Sequence, residues 1–197
     1  KVGKISKFVS GLRVTDKETV QIAEMVLVGK INSEIVSRLN QLNVKAVGLS
    51  GKDAELIIAH KKLAAVYNDD GTVSRTDIGY VGEAEKINIK LLEDLLDEDY
   101  VPVIAPIGVG RDGSSYNINA DYVAADIAGA VNAEKMLLLT DIEGIYKDYN
   151  DKSTFISTLK KDTAQAMIAD GNINGGMIPK VEACIYALEK GAGKTSI

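Results

Sequence analysis

Tryptophan is absent from this 197-residue sequence, and histidine and cysteine occur once each. With Cys184 alone, no internal disulfide can form, which fits a reducing, cytoplasmic setting. His60, in "IIAHKK", has no second histidine for a metal site and no nearby nucleophile for a triad, so it reads as structural. No apolar run reaches membrane-spanning length. The opening stretch "KVGKISKFVSGL" lacks the apolar core of a signal peptide. Positive charge is not in excess either. The formal net charge of −5 argues against a general nucleic-acid binder, while leaving room for a local basic patch. Low-complexity segments and internal repeats are also missing.

What remains is ordinary for a globular protein, 46% hydrophobic and 26% charged. Thr15-Asp16-Lys17-Glu18 reads as a capping box with Thr15 as the cap. It opens a helix through Val20, Ala23 and Leu27 that runs toward Gly29, and a second helix carries Ile35, Val36, Leu39 and Leu42. "KAVGLS" (45–50) predicts a short strand. "LIIAHKK" and "IGYVGEAEKI" predict a hairpin turned at "NDDGT". Residues 87–99 predict an amphipathic helix, and "YVPVIAPIGV" and "MLLLTD" (136–141) predict strands. Helices over about 162–169 and 178–190 stop at Gly171 and Gly191. Strands alternating with helices imply an α/β fold, a mainly parallel sheet sandwiched by helices with one β-hairpin excursion. Two phosphate-loop look-alikes read as ordinary structure. In "GVGRDG" (108–113) no helix follows the third glycine, and Asp112-Gly113 suits a tight turn. In "GAGKTS" (191–196) Leu188 occupies the position of the motif's first glycine.

Two stretches carry more chemistry than structure alone requires. In "NINAD" (117–121), Asn117 and Asn119 share one face of an extended chain. Asp121 falls in the first turn of the following helix, where a carboxylate is favourable. A cap at Asn119 with a dipole complement at Asp121 explains part of this cluster, and a binding site explains all of it. In "NGGMIPK" (174–180), Pro179 suits a first helical turn. Lys180 places a cation at the positive helix end, which an anion would offset. A solvated lysine is the plainer alternative. "TDIEGIY" (140–146) follows a strand, where open α/β sheets bind ligands. Arg13, in "GLRVT", is placed to clamp a carboxylate, though most such arginines are merely surface residues. Cys184, with Met177, Val181 and Leu188 on one helix face, reads as buried core.

In order along the chain, "GLRVTD", "EMVLVGKIN", "AVGLSGKD", "DIGYVG", "PVIAPIGVG", "YNINAD", "LLTDIEGI" and "GGMIPKVEA" resemble the signature stretches of the amino acid kinase family, in its branch acting on N-acetyl-L-glutamate. The resemblance implies an enzyme of arginine biosynthesis that uses ATP with Mg2+ and forms a homo-oligomer, with neither nucleic acid nor membrane as a partner. It implies that Arg13 and Asn117 hold the substrate carboxylates. Lys180 and Asp121 would be the catalytic pair, Lys180 stabilising the transferring phosphoryl group and Asp121 positioning the catalytic lysines, Lys180 and a second one on the family's first strand. Asp141, Ile142, Glu143, Gly144, Ile145 and Tyr146, with Asn172, Ile173 and Asn174, would line the ATP site. No metal ligand of the protein's own is implied. The family's first-strand Lys-Gly-Gly and its glycine-rich loop are not found here. The expectation is therefore one domain over 1–197, incomplete at both ends and inactive by itself. A catalytically silent portion that binds a nucleotide or an amino acid is the alternative.

Overall fold

The computed structural model describes residues 7–9, 12–67, 70–148 and 150–197. The chain divides into two units, Lys1–Ala120 and Asp121–Ile197.

In the first unit, strands β1 (Lys7–Val9) and β2 (Leu12–Val14) form an antiparallel pair. Helix α1 (Lys17–Glu24) follows, and its cap is Asp16, whose carboxylate accepts from the Thr19 N–H at 2.8 Å. Thr15 cannot serve as the cap because its backbone is engaged elsewhere. Its N–H donates to Ile78 O at 2.9 Å, and its carbonyl accepts from Tyr80 N at 2.7 Å. The helix does not stop at Gly29. A π-helical segment, Met25–Asn32, carries it into α2 (Ser33–Gln41).

The wider π turn ends at Asn32, a buried polar side chain 6% exposed. Its amide donates to Val103 O at 2.7 Å and Leu49 O at 3.4 Å. Those carbonyls belong to the parallel pair β3 (Ala46–Ser50) and β6 (Val101–Ala105). Gly48 makes room, since a Cβ there would stand 2.1 Å from Asn32 Oδ1. Asn32→Leu strands polar groups that the helix covers. Such loss costs about 1–3 kcal/mol, to be read as a lower urea midpoint with an unchanged slope. A midpoint equal to wild type would show that solvent replaces the amide.

The predicted hairpin forms from β4 (Ile57–Tyr67) and β5 (Val73–Ile87). Its turn lies partly outside the described residues. Because β5 stays paired to Ile87, helix α3 (Lys90–Asp97) begins later than the sequence suggests. The run 100–109 is two strands, because Pro106 has no N–H for a ladder. After it, β7 (Ile107–Val109) leaves β6 and pairs with β8 (Ser115–Asn117). Between them "GVGRDG" makes the tight turn, with Gly113 at φ 78°. β4, β5, β8 and β7 close on one another, β4–β7 and β5–β8 parallel, and Leu56, Ile57, Ile78 and Ile107 are among the most fully buried side chains of this unit.

The second unit contains α4 (Ala120–Ala130) beyond its first residue, β9 (Met136–Leu137), α5 (Lys161–Ala169), α6 (Met177–Lys190) and β10 (Thr195–Ser196). β9 is shorter than predicted, because its parallel partner β10 contributes only two residues. Leu139, further along, is exposed. α4 and α6 meet through Ala125, Ala128, Ala183 and Ala187. Gly191 ends α6 in the left-handed conformation at φ 115°, and "GAGKTS" leads into β10 as expected. No helix among the described residues is long and apolar enough to cross a membrane.

Candidate functional site

The residues proposed for substrate binding lie in the first unit. Arg13 sits on β2, paired with Phe8; its side chain lies outside what is described. Two residues later Thr15 bridges Gly79 on β5, and Asn117 on β8 pairs with Val81 of the same strand. One strand thus anchors both segments two residues apart. Gly79 permits this. It sits at φ 84°, and a Cβ there would stand 2.1 Å from Thr15 O. Asn117 is half-buried between the buried Tyr116 and Ile118, and Asn119 is exposed.

In the second unit Asp121 occupies the first turn of α4 and Lys180 the first turn of α6. Lys180 Nζ reaches both carboxylate oxygens of Asp121, at 3.2 and 3.3 Å. The side chains are 24% and 20% exposed. A lysine at the positive end of a helix is thereby offset by a carboxylate which is itself favoured at its own helix start. An ammonium carries three N–H donors and no acceptor, so it is chemically suited to an anion as well as to this carboxylate. No side chain caps α6, and the space in front of Gly175 and Gly176 is open. The backbone contributes less than the sequence suggests. Met177 N and Ile178 N are directed at Asn174 O and Gly175 O, at 3.2 and 3.3 Å, and Pro179 has no N–H. The cation at this helix start is the side chain of Lys180.

The stretch 141–146 is a non-helical loop held by contacts that its own sequence does not reveal. Tyr146 OH donates to Glu143 at 2.7 Å, and Lys152 Nζ pairs with the same carboxylate at 2.7 Å, 4.6 Å from the Tyr146 ring centroid. These donors hold the Glu143 carboxyl below its ordinary range, led by the hydrogen bond from Lys152. Lys152 was not singled out from sequence, being one of many charged residues in a polar loop. Ile173 is buried against Ala164, Met167 and Val181, so that only its backbone remains available to a ligand. Asn174 donates to Gly171 O at 3.3 Å. A cavity of 600 Å³ opens in this unit, lined by Gly144, Ile145, Phe155, Cys184 and Leu188 among others. Of the nine residues expected near ATP, it collects only Gly144 and Ile145.

Cys184 is buried as expected, and burial pushes its thiol up. His60 is exposed, its Nε2 3.8 Å from Glu83. Among the described residues no three His, Cys, Asp or Glu side chains converge as a metal site.

Comparison with known proteins shows the family to which the chain is similar. The model of the amino acid kinase family matches residues 2–197. An acetylglutamate kinase of Desulfitobacterium hafniense is 51% identical over 197 residues, all of this chain and 66% of that protein. The chain therefore spans about two thirds of that relative's length. Among solved structures, smu.665 from Streptococcus mutans UA159 superposes with a TM-score of 0.77 at 30% identity, covering 98% of this chain and 72% of that one. An N-acetylglutamate synthase from Neisseria gonorrhoeae, complexed with coenzyme A and N-acetyl-glutamate, gives 0.73 at 25% identity, covering 96% and 40%.

Proposed function

Since this chain belongs to the amino acid kinase family, we propose that the natural protein transfers the γ-phosphoryl group of ATP to the side-chain carboxylate of N-acetyl-L-glutamate. The product is N-acetylglutamyl 5-phosphate, on the route to arginine in the cytoplasm. Mg2+ enters with ATP as part of the nucleotide substrate. The observation that carries the reading is Lys180, a cation held by Asp121 in the first turn of an uncapped helix. The likeness to an acetylglutamate kinase supports the choice of acceptor. Exposed Met25, Ile31 and Ile35 along the first long helix, with exposed Leu42 at its C-cap, support assembly with further copies.

The acceptor carboxylate is ionised at pH 7 and needs no general base. Its oxygen attacks the γ-phosphorus, the bond to the β-γ bridging oxygen breaks, and ADP leaves. The obstacle is the approach of two anions. Catalysis then rests on positioning and on cations aimed at the γ-phosphoryl group. Lys180 is assigned that charge, Asp121 its placement, and Arg13 and Asn117 the acceptor. The loop 141–146 and residues 172–174 are assigned to the nucleotide.

Trapping the acyl phosphate with hydroxylamine tests the reaction. In the natural full-length protein Arg13→Ala should raise KM for N-acetyl-L-glutamate at least about tenfold, because an unpaired desolvated charge costs roughly 2–5 kcal/mol. KM for ATP should stay near wild type. Equal effects on both substrates would contradict the assignment. The similarity to an N-acetylglutamate synthase favours one second reading, a domain that binds an acyl amino acid without phosphorylating it. Calorimetric binding of N-acetyl-L-glutamate with no hydroxamate formed would select that reading.

A further inference from the structure

Three side chains from distant parts of the first unit meet in a closed triangle. Glu24, the last residue of α1, accepts from Lys52 Nζ at 2.9 Å through one oxygen and from Ser115 Oγ at 2.7 Å through the other. Lys52 Nζ lies 3.2 Å from Ser115 Oγ. Burial pushes the Glu24 carboxyl up, but the hydrogen bonds from Lys52 and Ser115 outweigh it and hold the group below its ordinary value. An exposed lysine–carboxylate pair contributes little. Here the carboxylate is 28% exposed and uses both oxygens.

The triangle has a rigid base. Lys52 lies in a turn fixed by Asp53, whose carboxylate accepts from the N–H and hydroxyl of the buried Ser50 at 2.6 and 2.9 Å. Its backbone N–H donates in turn to Ser50 Oγ at 3.3 Å. At the apex, Ser115 begins a strand of only three residues. So short a strand has few ladder bonds to hold it. Ser115 and Asn117 lie two apart, hence on the same face. At the other corner, α1 follows directly from the strand that bears Arg13.

We propose that Glu24, Lys52 and Ser115 are positioning residues for the acceptor site, fixing the polar face of β8 so that Asn117 meets the substrate in register with the Arg13 segment. The inference rests on the reading of Asn117 as a substrate ligand. It assigns function to residues in "EMVLVGKIN" and "AVGLSGKD" that the reaction itself leaves unused.

The test uses Glu24→Gln and Ser115→Ala in the natural full-length protein. Each should raise KM for N-acetyl-L-glutamate about tenfold, the scale of one hydrogen bond to a charged group. The values of kcat and of KM for ATP should stay within about twofold, since uniform binding alone is lost. The double variant should be little worse than either single one. Backbone hydrogen exchange at residues 115–117 should rise in both variants while that of β3 is unchanged. A lowered Tm with unchanged KM for the acceptor would reduce the triangle to a structural tie and overturn the proposal. Unaltered exchange at residues 115–117 would overturn it even if the wild-type protein formed no acyl phosphate. That last result, by itself, would reject the reaction and not the triangle.

Discussion

Lys180→Ala in the natural full-length protein is expected to lower kcat by about 10²–10³, the range for losing one preorganised donor to a developing anion. The reason lies in where the cation is held. Lys180 sits in the first helical turn of α6, the least favourable helix position for a positive charge, and Asp121 offsets that cost. At 3.2 and 3.3 Å the contact is longer than a tight charge-assisted bond, and the ammonium remains partly accessible. The proposed role has it meet a phosphoryl oxygen while keeping its partner. KM for both substrates should move only a few-fold, because the transition state gains more from this charge than the ground state does. Lys180→Arg keeps the charge and should recover part of the rate. Steady-state kinetics by hydroxamate formation decide the matter. A kcat for Lys180→Ala within about threefold of wild type would remove Lys180 from the proposed chemistry.

Much of this arrangement was legible in the order of residues. The helix starts before Asp121 and Lys180 follow from local signals: polar residues ahead of an apolar period, and Gly-Gly ahead of Pro179. That the two residues act together was implied only by the family resemblance, and the structure pairs them. The end of α6 at Gly191 and the turn in "GVGRDG" were equally local. What sequence reading missed is non-local. Asn32 looks like one polar residue ending an apolar run, and its role exists only because β3 and β6 present carbonyls there. That packing also carries the helix past Gly29. Thr15 is a better cap than Asp16 by motif, but β5 claims its backbone. Lys52 and Glu24 stand 28 residues apart, and Ser115 lies 91 from Glu24. No periodicity connects them. The loop 141–146 shows the same limit, since Lys152 organises it from outside the recognisable stretch.

Asp121→Asn tests the geometry of the pair separately from its charge donor. The substitution keeps the side chain's shape, and the amide oxygen can still accept from Lys180. What it removes is the negative charge that offsets the cation at the start of α6. Lys180 then has less reason to stay, and a displacement of about 1 Å can cost ~100-fold in rate. The expected result is a fall in kcat of that order with both KM values within a few-fold. The fold should persist, because Val123, Ala125 and Ala128 bury α4 whether or not residue 121 is charged. A melting curve taken beside the kinetics separates the two roles. If kcat stays near wild type while the protein melts much earlier, Asp121 serves only the start of its helix. The decisive comparison is the double variant. Once Lys180 is alanine, Asp121→Asn should cost almost nothing further, because residues that act as a unit are strongly non-additive. A full additional loss in that background would mean that Asp121 does not act through Lys180, and its assignment to placing that lysine would fall.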